Sequence, residues 1–286
     1  MEIFETTCKL RNADVDMHRR FKTASLLTLL QETAIAHTEA IGMGRERTLD
    51  RGLLWIITLQ RLSILRMPVY DETITVQCWP GKTMHVLFPR YYRMTSETGE
   101  LLLEGSALWA LIDEQSHQLI FPDDYGIRIP GLVTGQETPL PRAPKAVPLT
   151  HQTEFTVPYT YVDLNRHMNN VRYLDLAENT IPHEAHDHPL KSLEIEYSSE
   201  AKLGQTIRVQ WGKLGGVYFV DGEDERRLFR VRLEYDEKEL LTPRTKPPLP
   251  CAVRSAETLC FFRNGRFNVN TGTALIWRRK VMLTFC

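Results

Sequence analysis

One order of segments is written twice in this chain, and that repetition constrains the fold more than any other feature. Asp14-Val15-Asp16-Met17-His18 shares its D-x-[DN]-x-H spacing with Asp163-Leu164-Asn165-Arg166-His167, and a helical pattern follows each. In the first half Thr23 can cap a helix whose Leu27, Leu30, Ala34 and Ile41 recur at helical spacing until Gly42. In the second, Val171, Tyr173, Leu174, Ala177 and Ile181 repeat the pattern before Pro182. A turn and strand at 68–76 then resembles 201–209. Extended segments at 88–95 and 101–112, joined at Thr98-Gly99, answer those at 217–221 and 227–235, with Gly222 in the connection. A lone helix followed by hairpins is an α+β order, in which a curled antiparallel sheet wraps the helix and buries its apolar stripe. Written twice, it predicts a tandem duplication. The units are 1–129, a Pro- and Gly-rich linker at 130–148, and 149–242. A Pro-rich break and a tail at 243–286 have no counterpart in the repeat, although 273–277 and 281–285 read as strands.

The chemistry concentrates in residues 153–182. Phe155, Val157, Tyr159 and Tyr161 alternate with polar residues and Pro158, the pattern of an edge strand with one buried face. Asp163, Asn165 and His167 follow at every second position, and Met168-Asn169-Asn170 leads into the helix. Groups that accept, donate and shuttle a proton therefore gather at a helix start. There, free backbone N–H groups and the positive end of the dipole favour a carbonyl oxygen gaining negative charge. That suits acyl chemistry. The plainer reading, that Asp163 and Asn165 only cap the turn and helix, carries equal weight on these residues alone.

Composition narrows the function classes. With 286 residues, 42% hydrophobic, 25% charged and a formal net charge of -1, the chain has no global attraction for nucleic acid or anionic membranes. No apolar run is long enough to span a bilayer and the N-terminus lacks a basic region before an apolar stretch, so the expected location is the cytoplasm. Cys8, Cys78, Cys251, Cys260 and Cys286 are scattered and odd in number, and are read as reduced thiols.

Two segments carry a family resemblance. Asp163-Leu164-Asn165-Arg166-His167-Met168-Asn169-Asn170-Val171-Arg172-Tyr173-Leu174 resembles the D-x-N-x-H-x-N-N-x-x-Y segment of the acyl-[acyl-carrier-protein] thioesterases of bacteria and plant plastids. Glu196-Tyr197-Ser198-Ser199-Glu200-Ala201 resembles their E-Y-x-x-E-[CA] segment, with support from Trp79-Pro80 and the Trp109-x-x-x-Asp113 pattern. The resemblance implies two hot-dog folds in one chain, catalytic residues Asp163, Asn165, His167 and Glu200, and hydrolysis of fatty acyl-carrier thioesters. It implies an acidic acyl carrier protein with a phosphopantetheine-linked acyl chain as partner. No cofactor or metal is implied, and a homodimer stays open. Ala201 stands where many plant members have cysteine, so a Cys/His/Asn triad is excluded and catalysis must run through carboxylates and water. Backbone N–H groups of 168–170, with Asn165, would polarise the carbonyl. Glu200 or Asp163 would activate water or attack directly, and His167 would orient a carboxylate or protonate the thiolate.

The first half supplies a control. Its Asp14, Asp16 and His18 look vestigial, and Met67 falls opposite Glu200, so only the second half is expected to be catalytic while the first shapes the acyl pocket. Leu27, Leu30 and Ala34 are candidates to line that pocket. Strict alternation through Leu193, Ile195 and Tyr197 would turn Glu200 the wrong way, so a bulge or strand end is required near Ser198-Ser199. Arg19, Arg20, Arg61, Arg66, Arg90 and Arg93 are candidates for carrier docking. Competing readings are a coenzyme A thioesterase, a dehydratase and a non-catalytic acyl-thioester-binding module. His183-Glu184-Ala185-His186-Asp187-His188 has metal-ligand residue types at close spacing, with an ordinary connection after the helix as the plainer account.

Overall fold

The computed structural model describes residues 2–240. The strand-like tail at 273–277 and 281–285 lies outside them, as do Cys251, Cys260 and Cys286. The first half contains β1 (Phe4–Lys9), α1 (Thr23–Ala40), β2 (Leu53–Ile64), β3 (Thr73–Pro80), β4 (Leu87–Ser96) and β5 (Leu101–Asp113). The second contains β6 (His151–Thr156), α2 (Asn170–Thr180), β7 (Leu190–Tyr197), β8 (Thr206–Leu214), β9 (Val217–Glu223) and β10 (Arg227–Tyr235). All strands join one ten-stranded antiparallel sheet in the order β1-β3-β4-β5-β2-β7-β10-β9-β8-β6. Each half contributes the same five-strand order, and the two meet where β2 pairs β7 from Leu59↔Glu196 to Ser63↔Ser192. This is the expected α+β architecture of two hot-dog units.

The helices lie against the sheet and against each other. Leu26, Leu27, Leu30 and Ala34 of α1 and Leu174, Leu176 and Ala177 of α2 are buried in one core with Ile74, Val76, Ile195 and Val231. Each such leucine contributes roughly 1.5–3 kcal/mol by leaving water. α1 stops where Gly42 adopts φ +72°. Its N-cap is Lys22, with no side-chain cap; Thr23 is the first helical residue.

Three details differ from the sequence expectations. β2 is twelve residues long and paired on both sides, where no strand was expected. β6 ends at Thr156 and residues 159–161 form a 3-10 turn, because Pro158 has no N–H to extend the ladder. Gly222 lies inside β9, opposite Phe229, whose ring a Cβ there would overlap.

The pseudo-symmetry is also shifted by two residues from the motif spacing. The Asp16 N–H bonds the Arg20 carbonyl at 2.8 Å, as the Asp163 N–H bonds His167 at 3.0 Å. The Phe21 N–H bonds Pro68 at 2.8 Å, as Met168 bonds Ala201 at 2.8 Å. Arg19 and Arg166 share a left-handed backbone, φ 63° and 65°. Asp16 thus corresponds to Asp163, His18 to Asn165 and Arg20 to His167, while Met67 corresponds to Glu200. The shared D-x-[DN]-x-H spacing was misleading because the turn is defined by its backbone pairing, not by its side chains.

Candidate functional site

Between β6 and α2 the chain makes a tight turn held by the carboxylate of Asp163. Its Oδ1 accepts the Asn165 N–H at 2.9 Å and its Oδ2 accepts the Asn169 Nδ2 at 3.3 Å. Asn169, rather than Asp163 or Asn165, caps α2, its Oδ1 accepting the Val171 N–H at 3.1 Å. Asp163 and Asn165 are therefore left with side chains on the wall of a cavity.

The turn returns to pair with the segment after β7. β7 stops at Tyr197, and the N–H groups of Ser198 and Ser199 both donate to the Leu228 carbonyl, at 2.8 and 3.2 Å. Two residues facing one carbonyl form the irregularity that the position of Glu200 required. Ala201 is then fixed twice: its carbonyl accepts the Met168 N–H, and its own N–H donates to Tyr173 Oη at 2.9 Å. Burial pushes the Tyr173 phenol up to about 12, so the ring keeps its proton while it accepts this bond. Ala201 itself is 0% exposed, and a side chain at this position points into the core.

This clamp brings Glu200 to His167, with Oε2 at 3.2 Å from Nδ1 and off the line of the ring N–H. A second histidine, absent from the sequence reading, completes the cluster. His117 Nδ1 lies 3.4 Å from the same Glu200 oxygen, and its ring meets His167 edge-on at 5.8 Å. His117 comes from the first half, on a turn that Asp113 organises through its Oδ1 to the N–H groups of Gln115 and Ser116. Those bonds, the Ser116 N–H foremost, hold the Asp113 carboxyl below its usual range. The Trp109-x-x-x-Asp113 pattern was the available signal, pointing to the turn but not to the histidine it presents.

The cavity, about 470 Å³, is walled by α1, β2, β4 and β5 of the first half and by Asp163, Leu164, Asn165, Asn169 and Asn170 of the second. Of the pocket candidates, Ala34 lines it, whereas Leu27 and Leu30 are core. His167 and Glu200 are not among the residues that line it. The N–H groups of Met168 and Asn169 are already used, on Ala201 and Tyr161, so of residues 168–170 only the Asn170 N–H has no partner among the described residues.

Other expected roles dissolve into the fold. His186 Nε2 bonds the Glu178 carbonyl at 3.0 Å and His188 Nδ1 bonds the Glu239 carbonyl at 2.8 Å. Among the described residues no three His, Cys, Asp or Glu side chains are grouped to hold a metal. Arg20 is tied to Asp16, Arg66 lies between Glu72 and Glu100 at 2.7 Å from each, and Arg90 is buried. Of the six docking candidates Arg19, Arg61 and Arg93 make no ion pair among the described residues. Among the described residues no helix is long and apolar enough to cross a membrane.

Residues 1–125 match the family model of the acyl-ACP thioesterase N-terminal domain, and residues 145–238 that of the C-terminal domain. The chain belongs to the acyl-ACP thioesterase family. Among curated members, it is 24% identical over 214 residues to the chloroplastic palmitoyl-acyl carrier protein thioesterase of Cuphea hookeriana, covering 69% of this chain and 52% of that protein. It is 24% identical over 226 residues to the dodecanoyl-[acyl-carrier-protein] hydrolase of Cinnamomum camphora, covering 72% and 58%. The chain thus spans about half the length of the curated family members it matches. Among solved structures, an acyl-ACP thioesterase from Bacteroides thetaiotaomicron superposes with a TM-score of 0.70 at 17% identity, covering 82% of this chain and 98% of that one. The 12:0-ACP thioesterase of Umbellularia californica gives 0.68 at 20%, covering 82% and 97%. These likenesses establish the family's fold for this chain.

Proposed function

We propose that this protein hydrolyses fatty acyl thioesters carried on the phosphopantetheine arm of an acyl carrier protein, releasing the free fatty acid and ending chain growth. Carrying the reading is the placement of an Asp163–Asn165 turn on the wall of a cavity of about 470 Å³, with a Glu200–His167 pair at the other end of the same turn. The activities for which the matched family members are named point the same way. The carrier protein and a cytoplasmic setting belong to the same proposal.

In the proposed mechanism the acyl chain enters the first-half cavity and its thioester carbonyl lies at the start of α2. The Asn170 N–H and the positive end of the helix stabilise the oxygen as it gains charge, with the Asn165 amide beside it. Asp163, the carboxylate on the cavity wall, takes a proton from water as the water oxygen bonds to the carbonyl carbon. The carbon–sulfur bond then breaks, and the His167–Glu200 pair supplies the proton that the departing thiolate takes up. His117 positions Glu200 from the first half. The chain divides functionally at 130–148: the first half, with Met67 and Arg20 in place of Glu200 and His167, forms the pocket, and the second half carries the reaction.

The test is release of free fatty acid from carrier-protein thioesters over a series of chain lengths, with matching coenzyme A thioesters alongside. Strong preference for the carrier-protein series is the expected result. Equal or better hydrolysis of the coenzyme A series would replace this reading with a coenzyme A thioesterase, and binding without hydrolysis would replace it with a non-catalytic module.

A further inference from the structure

The buried wall of the cavity carries a cation without a counter-charge. Arg90, on β4, is 5% exposed and lines the cavity with Thr38, Trp55 and Gln31. Its Nη2 donates to Thr38 Oγ1 at 2.9 Å, and its Nη1 lies 3.1 Å from His37 Nδ1 and 3.4 Å from Cys78 Sγ. Every one of these partners is neutral. His37 is held uncharged because burial, and then the Arg90 charge itself, push its imidazole down to about 4. Glu32 and Glu39 stand on the exposed rim, and no carboxylate among the described residues reaches ion-pair distance of Arg90. The C-terminal end of α1, where His37 and Thr38 lie, offers a partial charge of roughly half a unit, short of a full counter-ion.

Two more cavity-lining residues add unpaired hydrogen-bonding groups. Gln31 Oε1 and Trp55 Nε1 are enclosed and have no partner among the described residues. A cavity that takes only a saturated hydrocarbon tail has no use for a desolvated cation, a free acceptor and a free N–H, each of which costs stability when left unmatched. The equivalent position in the second half is satisfied within the fold. Glu178 stands there where Gln31 stands in the first, and it accepts the Thr23 hydroxyl at 2.8 Å. The 183–188 segment is tied nearby, its carbonyls at His186 and His188 held by Arg20 and its His186 Nε2 on the Glu178 carbonyl.

We propose that Arg90 is a specificity site for acyl chains bearing an oxygen function at the end remote from the thioester, a terminal carboxylate above all, with Trp55 and Gln31 available to a terminal hydroxyl. A terminal carboxylate would provide the counter-charge and accept from the guanidinium. A methyl end leaves the cation unmatched. The inference rests on the thioester reading for its substrate class, but its first test does not depend on turnover.

That test is equilibrium binding of monomethyl esters of α,ω-dicarboxylic acids (the diacids) against methyl esters of monocarboxylic acids of equal chain length, so that only the diacid offers a carboxylate, followed by tryptophan fluorescence or calorimetry, to the wild-type protein and to Arg90→Gln. A charge-assisted hydrogen bond in an enclosed site predicts about 10- to 100-fold tighter binding of the diacid at the best-fitting length, and loss of that preference in Arg90→Gln. Equal or weaker binding of every diacid by the wild-type protein overturns the proposal, and that comparison decides it even if the variant does not fold. Hydrolysis of the matching thioesters separates the two readings. Selective diacid binding with no hydrolysis of any thioester would sink the thioesterase reading and keep the Arg90 site. Efficient hydrolysis restricted to methyl-ended chains would do the reverse.

Discussion

Arg20 stands in the first half where His167 stands in the second. Both follow a left-handed arginine and both accept the N–H of an aspartate, Asp16 or Asp163, through their carbonyl oxygens. The side chains serve different ends. Arg20 binds Asp16 and reaches the His186 and His188 carbonyls at 2.8 and 3.1 Å, fastening one half to the other, while His167 faces Glu200. Arg20→Ala should therefore destabilise the protein by about 1.5–3 kcal/mol, the scale of a lost hydrogen bond to a charged group, and leave kcat within a few-fold. His167→Ala should do the opposite. Chemical denaturation beside single-substrate kinetics reads both, and a large kcat loss in Arg20→Ala would contradict the division of labour.

Alanine at Asp163 or at Glu200 should each lower kcat by about 10²–10⁴-fold, the usual cost of removing an acid or base group. Near-normal turnover in both would falsify the proposed site.

The water route makes an isotopic prediction. In a single turnover in ¹⁸O-labelled water, the label should enter the released fatty acid and none should enter Asp163 or Glu200. Mass spectrometry that finds label in either carboxyl would establish an acyl-carboxylate anhydride instead.

His117 and Glu200 are both well exposed, with side chains 47% and 38% accessible. A pair so placed is worth at most about 1 kcal/mol, so His117→Gln should cost no more than roughly fivefold in kcat/KM. Rescue of the loss by lowering salt, which lengthens the reach of the remaining charges, would support a positioning role.

Tyr173→Phe removes only the oxygen that accepts the Ala201 N–H. The orphaned buried donor should cost about 1–3 kcal/mol of stability, and kcat should fall because Glu200 is no longer held against His167. Unchanged kcat would show that the clamp is dispensable for catalysis.

At the α1–α2 junction burial pushes the Glu178 carboxyl up to about 7 from its ordinary 4.5. The folded protein then binds a proton that the unfolded chain releases, so this group's contribution is fully present below the unfolded value and is lost as pH rises through 7. At about 1.4 kcal/mol per pH unit, the loss is at most about 3 kcal/mol. Glu178→Gln, which keeps an acceptor for Thr23 and copies Gln31 of the first half, should flatten the decline. Melting temperatures across that pH range that fall equally in both proteins would sink the assignment.

Much of this was legible in the chain. Helical spacing from Leu27 to Ala34, the Gly42 stop, the hairpin at Thr98-Gly99 and the duplicated order sufficed for the α+β class, because these are local consequences of backbone sterics and of burying one face. Met67 opposite Glu200 was readable for the same reason, as was the need for an irregularity before Glu200, since a period of two leaves no alternative. β2 was missed because it begins with the continuous apolar run 53–57, which shows no telling alternation.

What the tertiary structure decided was which groups meet. The partners of His167 are Glu200, distant in sequence, and His117 from the other half, joined through backbone bonds to Ala201 that no spacing encodes. The motif spacing suggested His18 as the counterpart of His167, and only backbone pairing identified Arg20. Arg90 read as a surface cation until β4 turned it inward onto His37 and Thr38. Local sequence determines the elements because their hydrogen bonds and periodicity are short-range, whereas the site is made by long-range strand pairing, which brings side chains together regardless of their separation along the chain.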